Sequence, residues 1–454
     1  MFKSCRNKRS PDKIGFLFLK KPMRASNPIK ILFTAIAGTG LQWYDFALFG
    51  YFAPIIASNY FPEENQFAAL LSAFGVLAVG YLLAPLGSLF FGYIGDRFGR
   101  KYALMLSILA MAVPTALVGL VPSYSAIGIA APIFITILRI LQGFVASSEY
   151  TGSTLFLIEH APANRKALYG CLSSSAYSLG SIGAGLAASF FTASFMPDWA
   201  WRLAFVLAGI LGLFIFYLRN SLEETPEFIQ IHETEKQRQP FWAALREKPL
   251  AIVGVIGLAW LTGIMTFGTY VFSAAYLHHY FNIPLSFATL AISFALLIDA
   301  LIEPCFAWLA DKTGHLKIMI AGMLGIILLA IPAYYLLSSN NSLFIVLALV
   351  ILTLLIAITF SPLNAYMTSL FPRSYRYSGF GVAFHIGISL FGGTVPLVMM
   401  WLTEKTGNLI APAWYYIFGA VIGLISVGVC ELSRLRQPRQ HAELKLSNRQ
   451  GLYD

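Results

Sequence analysis

The stretch FGYIGDRFGRK (Phe91 to Lys101) is echoed in the second half of the chain by FAWLADKTGHLK (Phe306 to Lys317). The shared skeleton is Phe, then Asp, a base and Gly, and in both places it closes the second apolar run of its half. A repeated loop of this kind implies two related units. Outward from these loops the chain is strongly apolar: of 454 residues, 57% are hydrophobic and 11% charged, with a mean hydropathy of +0.70. Ordinary soluble domains carry about 25% charged residues, so a water-soluble fold is excluded.

A bilayer crossing needs roughly 20 mostly apolar residues. Runs of that length lie near 31–58, 67–94, 102–121, 126–157, 167–194, 200–218, 250–280, 286–310, 317–337, 342–370, 378–403 and 411–433. Twelve spans place both tails on one side. With that side taken as cytoplasmic, the 31 Lys and Arg residues fall in the tails and inner loops, except Arg202 and Lys405 outside and Arg139 within a span. Positive charge concentrated in inner loops is the rule that orients helical membrane proteins. The expected fold is therefore an all-α membrane protein, with twelve transmembrane helices in two six-helix bundles and both termini cytoplasmic. Its parts are a basic amino-terminal tail (1–30), a first bundle (31–218), a central cytoplasmic loop (219–249), a second bundle (250–433) and a short cytoplasmic tail (434–454). The first tail has only Ile14 to Leu19 as an apolar run, too short for a signal-peptide core, and Met23 is an alternative start.

The net charge of +10 sits in loops and tails, so nucleic acid is not an expected partner. Cys5, Cys171, Cys305 and Cys430 form no metal spacing, and no metal site is expected. There is no GxxxxGK[ST] phosphate loop and no motif that assembles a nucleophile with a base, so neither an ATP-driven pump nor an enzyme is expected. Two related bundles around one site are what alternating access requires.

GYIGDRFGRK follows the GxxxDRxGRK loop pattern of the major facilitator superfamily. QWYDFALFGYFAPIIASNYFP (Gln42 to Pro62), RILQGFVASSEYTGSTLFLIEHAP (Arg139 to Pro162), WRLAFVLAGILGLFIFYLRNSLEETPEF (Trp201 to Phe228) and FGGTVPL (Phe391 to Leu397) resemble its metabolite:proton symporter family. That family includes proline/betaine, shikimate, 2-oxoglutarate and citrate transporters of bacterial inner membranes, and the resemblance runs from about Ile31 to Glu431. It implies a carrier of a small solute in a bacterial inner membrane, functional as a monomer, with protons as its second ligand and no cofactor beyond the proton gradient. Gly92, Asp96, Arg97, Gly99, Arg100 and Lys101 would form the cytoplasmic gate loop, with Asp311 and Lys312 as counterparts. Departures from the family are Gln42, where a glutamate is usual, Ser147 and Ser148, where glycines are usual, and Thr313 and His315 in the second loop. The tail after Arg434 shows no heptads, so the coiled coil of osmosensing members is not expected.

Charges inside spans are expensive and line pathways. Asp45, Glu149, Asp299 and Glu303 are candidates for proton coupling. Arg139, Gln42, Tyr44, Gln142 and His385 are candidates for substrate binding. At about 100° per residue, Arg139, Gln142 and Glu149 lie within about 80° of one another on one helix face. An Arg139–Asp45 pair near the midplane is expected, either as packing between helices or as a carboxylate receptor whose aspartate accepts a proton. Glu149 serves either coupling or gate and packing duty. Asp299 and Glu303 are one helical turn apart and are expected to share a proton, unless Glu303 faces the gate near Asp311. Trp43, Tyr44 and Tyr51 offer aromatic faces to a quaternary ammonium group, or ordinary packing. The function expected is proton-coupled import of a carboxylate-bearing metabolite, zwitterion or organic acid. A passive facilitator, an exporter or a transport-dead receptor are the alternatives.

Overall fold

The computed structural model describes residues 28–61, 66–193, 195–230 and 240–450; most of the basic amino-terminal tail, with Cys5, lies outside them. Among the described residues twelve long helices follow one another. The first six are α1 (Pro28–Tyr51), α2 (Gln66–Arg97), α3 (Arg100–Leu120), α4 (Ala130–His160), α5 (Lys166–Phe191) and α6 (Trp201–Asn220). The second six are α7 (Pro249–Phe281), α8 (Leu285–Thr313), α9 (His315–Leu337), α10 (Ser342–Ser369), α11 (Arg373–Thr406) and α12 (Ala411–Gln450). Among the described residues, nine of them, α3, α4 and α6 to α12, are by length and composition alone apolar enough to cross a membrane.

The pairing of helices repeats between the halves. In the first half α1 packs on α5, α2 on α4 and α3 on α6; in the second α7 packs on α11, α8 on α10 and α9 on α12. The halves meet through α2 against α11 and α5 against α8, pairs that the same repeat exchanges. The echo between the two loops is thus one visible part of a duplication that governs the whole packing scheme.

Small residues set the closest approaches. A Cβ on Gly143 of α4 would run into the backbone of Gly80 on α2, and one on Gly180 of α5 into the Gly40 carbonyl of α1. Helices in lipid associate by such backbone approach, because apolar burial does not separate helix from lipid. In the second half, Gly263 of α7 packs against Gly392 of α11. There α11 widens to a π-helix over Ile386–Gly392, just before Pro396, where the glycine pair of the sequence permits a bend. A second π-turn, Gly268–Phe272, interrupts α7, and α1 breaks at Phe52 before the segment Ala53–Tyr60.

Two features differ from the sequence expectation. The stretch between the bundles is not simply a hydrophilic loop, since it carries short helices at Pro226–Ile229 and Pro240–Glu247. The carboxyl-terminal segment does not leave its helix near Arg434 but continues as α12 to Gln450. The cores also differ in kind. The second bundle holds one continuous apolar cluster, whereas the first is divided into several patches by buried charged and polar side chains such as Asp45, Arg139, Gln142, Glu149 and Arg219.

Gly143→Val is expected to force α2 and α4 apart and destabilise the protein by about 1–3 kcal/mol, the usual range for overpacking. A lowered unfolding temperature of the purified protein in detergent is the check, and Gly50→Ala, where a Cβ meets open space, should leave it unchanged.

Candidate functional site

The two repeated loops lie on the face that carries the basic loops, and each holds the opposite bundle. Asp96, at the end of α2, accepts hydrogen bonds from the backbone N–H groups of Tyr377 (3.0 Å) and Ser378 (2.8 Å), in the first turn of α11. Asp311, near the end of α8, accepts from Ala167 and Leu168 (2.9 Å each), in the first turn of α5. Each bundle thus supplies the carboxylate that satisfies the open amides and positive dipole end of a helix in the other. Gly99 and Gly314 turn the chain in the two loops with φ of 119° and 107°, values open to glycine and strained for other residues.

Arg100 completes the first clasp. It pairs with Asp96 (3.1 Å) and Glu159 (3.3 Å) and donates to the Arg373 carbonyl (2.9 Å) across the bundle boundary. In the second clasp His315 stands 3.2 Å from Asp311. Gly92 lets α2 approach Ser378 closely. Lys101 donates to the Asn220 carbonyl (2.8 Å). Arg97 lies against the rings of Tyr93 and Phe98, and Lys312 over Trp308, so neither of these bases reaches across.

The short helix Pro226–Ile229 is a strap over this closure. Its Glu227 pairs with Lys166 of α5 and with Arg373 and Arg376 of α11. Glu224 accepts from the backbone N–H groups of Arg100 and Lys101 at the start of α3. Burial alone would raise the Glu227 pKa, but the charges and hydrogen bonds of Arg376 and Lys166 outweigh it and hold the carboxyl below its usual 4.5. The strap's ion pairs are therefore in place above that pH and are lost as the pH falls through the depressed value.

Above the closure lies a cavity between the bundles, enclosing about 960 Å³ of space with its open approach included. Asp299 and Glu303 of α8 line it, as do Gln42 and Trp43 of α1 and His385 of α11. Much of the remaining wall is aromatic, including Phe46, Tyr81, Tyr177, Phe267, Tyr270 and Phe384. No Lys or Arg is among the described lining residues. Ser178 of α5 donates to Asp299 Oδ2 across the bundle boundary (3.0 Å), while Asp299 Oδ1 is buried without a hydrogen-bond partner and Glu303 is buried with the Ser174 hydroxyl of α5 beside it. His385 Nε2 lies 3.0 Å from the Ser147 carbonyl. Ser148 Oγ lies 2.8 Å from the Tyr377 hydroxyl. Of the two serines found where glycines are usual, Ser148 ties α4 to α11 through its side chain, while Ser147 does so through the backbone carbonyl that a glycine would also offer.

The remaining candidates are placed differently. Asp45 and Arg139 do pair, through Oδ2 and Nη1 at 2.8 Å, and Gln142 donates to Asp45 Oδ1 (3.0 Å). This group lies inside the first bundle, outside the cavity lining, with the guanidinium against the Phe49 ring (3.8 Å) and Arg139 Nε and Nη2 unpartnered. Glu149 does not share a site with Arg139. It is held by Arg219 of α6 through two hydrogen bonds of 2.9 Å each, and Ser107 donates to it as well. Arg219 is 1% exposed. It was read in the sequence as the first residue of the central loop, and its place at the end of an apolar run was the available signal. Tyr44 packs within the first bundle, away from the cavity, and Tyr51 is 44% exposed.

Paired helix bundles clasped on one membrane face, with a closed-bottomed cavity of aromatic rings and buried acids between them, define a solute carrier of the alternating-access type. The comparisons with known proteins agree. Residues 35–393 match the family model of the Major Facilitator Superfamily. The putative proline/betaine transporter of Staphylococcus haemolyticus is 32% identical over 433 residues, 93% of this chain and 92% of that protein. The proline/betaine transporter of Escherichia coli K12 is 32% identical over 418 residues, 87% of this chain and 82% of that one. Among solved structures, the proton:xylose symporter XylE bound to 6-bromo-6-deoxy-D-glucose aligns with a TM-score of 0.68 at 17% identity, covering 89% of this chain and 95% of that one. The human organic anion transporter MFSD10 aligns at 0.64 and 15%, covering 90% and 100%; both likenesses concern the fold. The chain belongs to the major facilitator superfamily, in its metabolite:proton symporter-type branch. It is a multi-pass transporter of the bacterial inner membrane and not an enzyme.

Three outcomes follow. Arg219→Ala leaves Glu149 buried without its cation and should cost about 3–5 kcal/mol, while Arg219→Met with Glu149→Gln should recover most of it; thermal unfolding measures both. Asp96→Ala or Asp311→Ala removes a clasp, and alkylation of Cys171, which is buried beside the second clasp, should accelerate several-fold by peptide mass analysis. In the wild type, backbone amide exchange in the strap, normalised to the intrinsic exchange rate at each pH, should stay slow above pH 4.5 and rise as the pH falls through the Glu227 titration.

Proposed function

We propose that this chain is a proton-coupled symporter that imports a compact metabolite bearing both a positive nitrogen and a carboxylate, of the proline or betaine kind. One observation carries the choice. The cavity wall combines two buried carboxyls that face no cation with aromatic faces and no described cationic side chain. Carboxyls and ring faces stabilise an ammonium group, while a site for a di- or tricarboxylate would call for arginines. The names of the relatives point the same way.

In this reading Asp299 and Glu303 face the positive nitrogen and exchange a proton as the solute arrives. Two buried carboxyls a turn apart repel each other when both are charged, so a proton on one, or a cationic guest beside both, relieves the conflict. Asp45 and Arg139 act as a second proton-sensitive pair: protonation of Asp45 removes the partner of a guanidinium that already has two nitrogens unengaged. Gln142 orients Asp45, and His385 and Ser147 close the floor. Glu149, clamped by Arg219, serves the frame of the first bundle. The clasped basic face is cytoplasmic, so the drawn state is closed toward the cytoplasm. Import follows from release of the clasps once solute and proton are bound, driven by the inward proton gradient.

Uptake by proteoliposomes under an imposed inward proton gradient tests this. Labelled proline or glycine betaine should accumulate, an uncoupler should abolish accumulation, and citrate should not be taken up. Asp299→Asn and Asp45→Asn should each lose accumulation against a gradient. Accumulation of citrate, or uptake indifferent to both the uncoupler and these substitutions, would refute the proposal.

A further inference from the structure

If the solute carries a carboxylate, something other than Arg139 must receive it, since that side chain lies outside the cavity wall and is engaged by Asp45. Several hydrogen-bond donors of the wall are already used. Asn364 donates to the Tyr150 hydroxyl and the Gly170 carbonyl, His385 is taken by the Ser147 carbonyl, Tyr270 donates to Thr353 and Thr262 to the Leu258 carbonyl. Among the described lining residues, two buried donor atoms have no partner: the indole Nε1 of Trp43 and the hydroxyl of Ser389. An indole N–H can only donate, and a buried donor without an acceptor is destabilising. The ring is also held in place, with Tyr177 edge-on at 4.5 Å and Phe46 at 6.2 Å.

We infer that Trp43 Nε1 and Ser389 Oγ are the carboxylate-binding donors of the central cavity. The inference rests on the reading of the solute as a zwitterion and adds residues to which that reading gives no such role. Trp43 stands on α1 and Ser389 in the π-turn of α11, so a carboxylate held by both joins the first bundle to the second. The acids on α8 take the opposite charge of the same small molecule. A guest that lacks the carboxylate leaves both donors open, and one that lacks the positive nitrogen leaves the acids unmatched, so the cavity selects for both groups at once.

Full-length protein in proteoliposomes is the test, with labelled proline as probe and unlabelled glycine betaine and choline as competitors; choline keeps the trimethylammonium group and lacks the carboxylate. Trp43→Phe keeps the ring and removes the N–H. It should raise the KM for proline and the inhibition constant of betaine by roughly tenfold or more, the scale of one hydrogen bond to a charged group. Ser389→Ala should raise them by a smaller factor. Choline that inhibits wild type and Trp43→Phe equally, or fails to inhibit wild type at all, supports the assignment. Equal weakening of betaine and choline by Trp43→Phe, or an unchanged KM in both variants, overturns it. A wild type that transports neither proline nor betaine removes the zwitterion reading itself, an outcome distinct from a wild type that transports them and variants that do not differ from it.

Discussion

The reciprocal capping of α11 by Asp96 and of α5 by Asp311 is the interaction on which the rest of the arrangement depends. A helix end leaves its first amides without intrahelical partners, and where apolar surroundings exclude water those amides must find an acceptor elsewhere. Here each bundle finds it on the other. The same four contacts therefore complete secondary structure, hold the bundles together on one face and keep the cavity closed on that side. Because they form only when the bundles meet, a local requirement of two helices becomes a property of the whole molecule's conformation.

Buried charge is then distributed unequally. Inside the first bundle, carboxylates face guanidiniums, Asp45 with Arg139 and Glu149 with Arg219, and the apolar core is broken into patches around them. The second bundle has a continuous apolar core and brings its two buried acids to the cavity, where Asp299 has one serine from the opposite bundle, Glu303 has Ser174 of that bundle beside it, and neither faces a cation. The Glu149–Arg219 pair is satisfied whichever way the bundles lean. The acids at the interface are not, and in the proposed mechanism it is there that a charged guest alters the balance between conformations.

Much of this was legible in the sequence, for physical reasons that differ by element. The twelve spans could be read because bilayer thickness fixes a length and loop charge fixes a side. The Asp96 cap could be anticipated from an aspartate beside helix-start glycines, and the Asp45–Arg139 pair from depth along two helices. The partner of Glu149 could not, because helical phase places residues around one helix and says nothing about which neighbouring helix ends nearby. Arg219 looked like the start of a solvent-exposed loop, while its long side chain turns back into the bundle. For the same reason the strap at Glu224 and Glu227 was visible only as a motif. Arg139 was expected in the cavity on chemical grounds, but the depth argument that paired it with Asp45 already accounted for its charge.

The clasped face also sets what the carrier can measure. Every contact between Asp96, Asp311, Glu227 and the opposite bundle has to be undone before a bound solute can leave by that side. Part of the attraction a good solute feels is consumed in undoing them, so its observed affinity understates how well it fits. A poor solute of similar shape can occupy the cavity nearly as readily and fail only at the opening step. Discrimination in such a molecule is therefore expressed in turnover more than in occupancy, and the tightness of the closed face is the threshold that separates a passenger from an inhibitor.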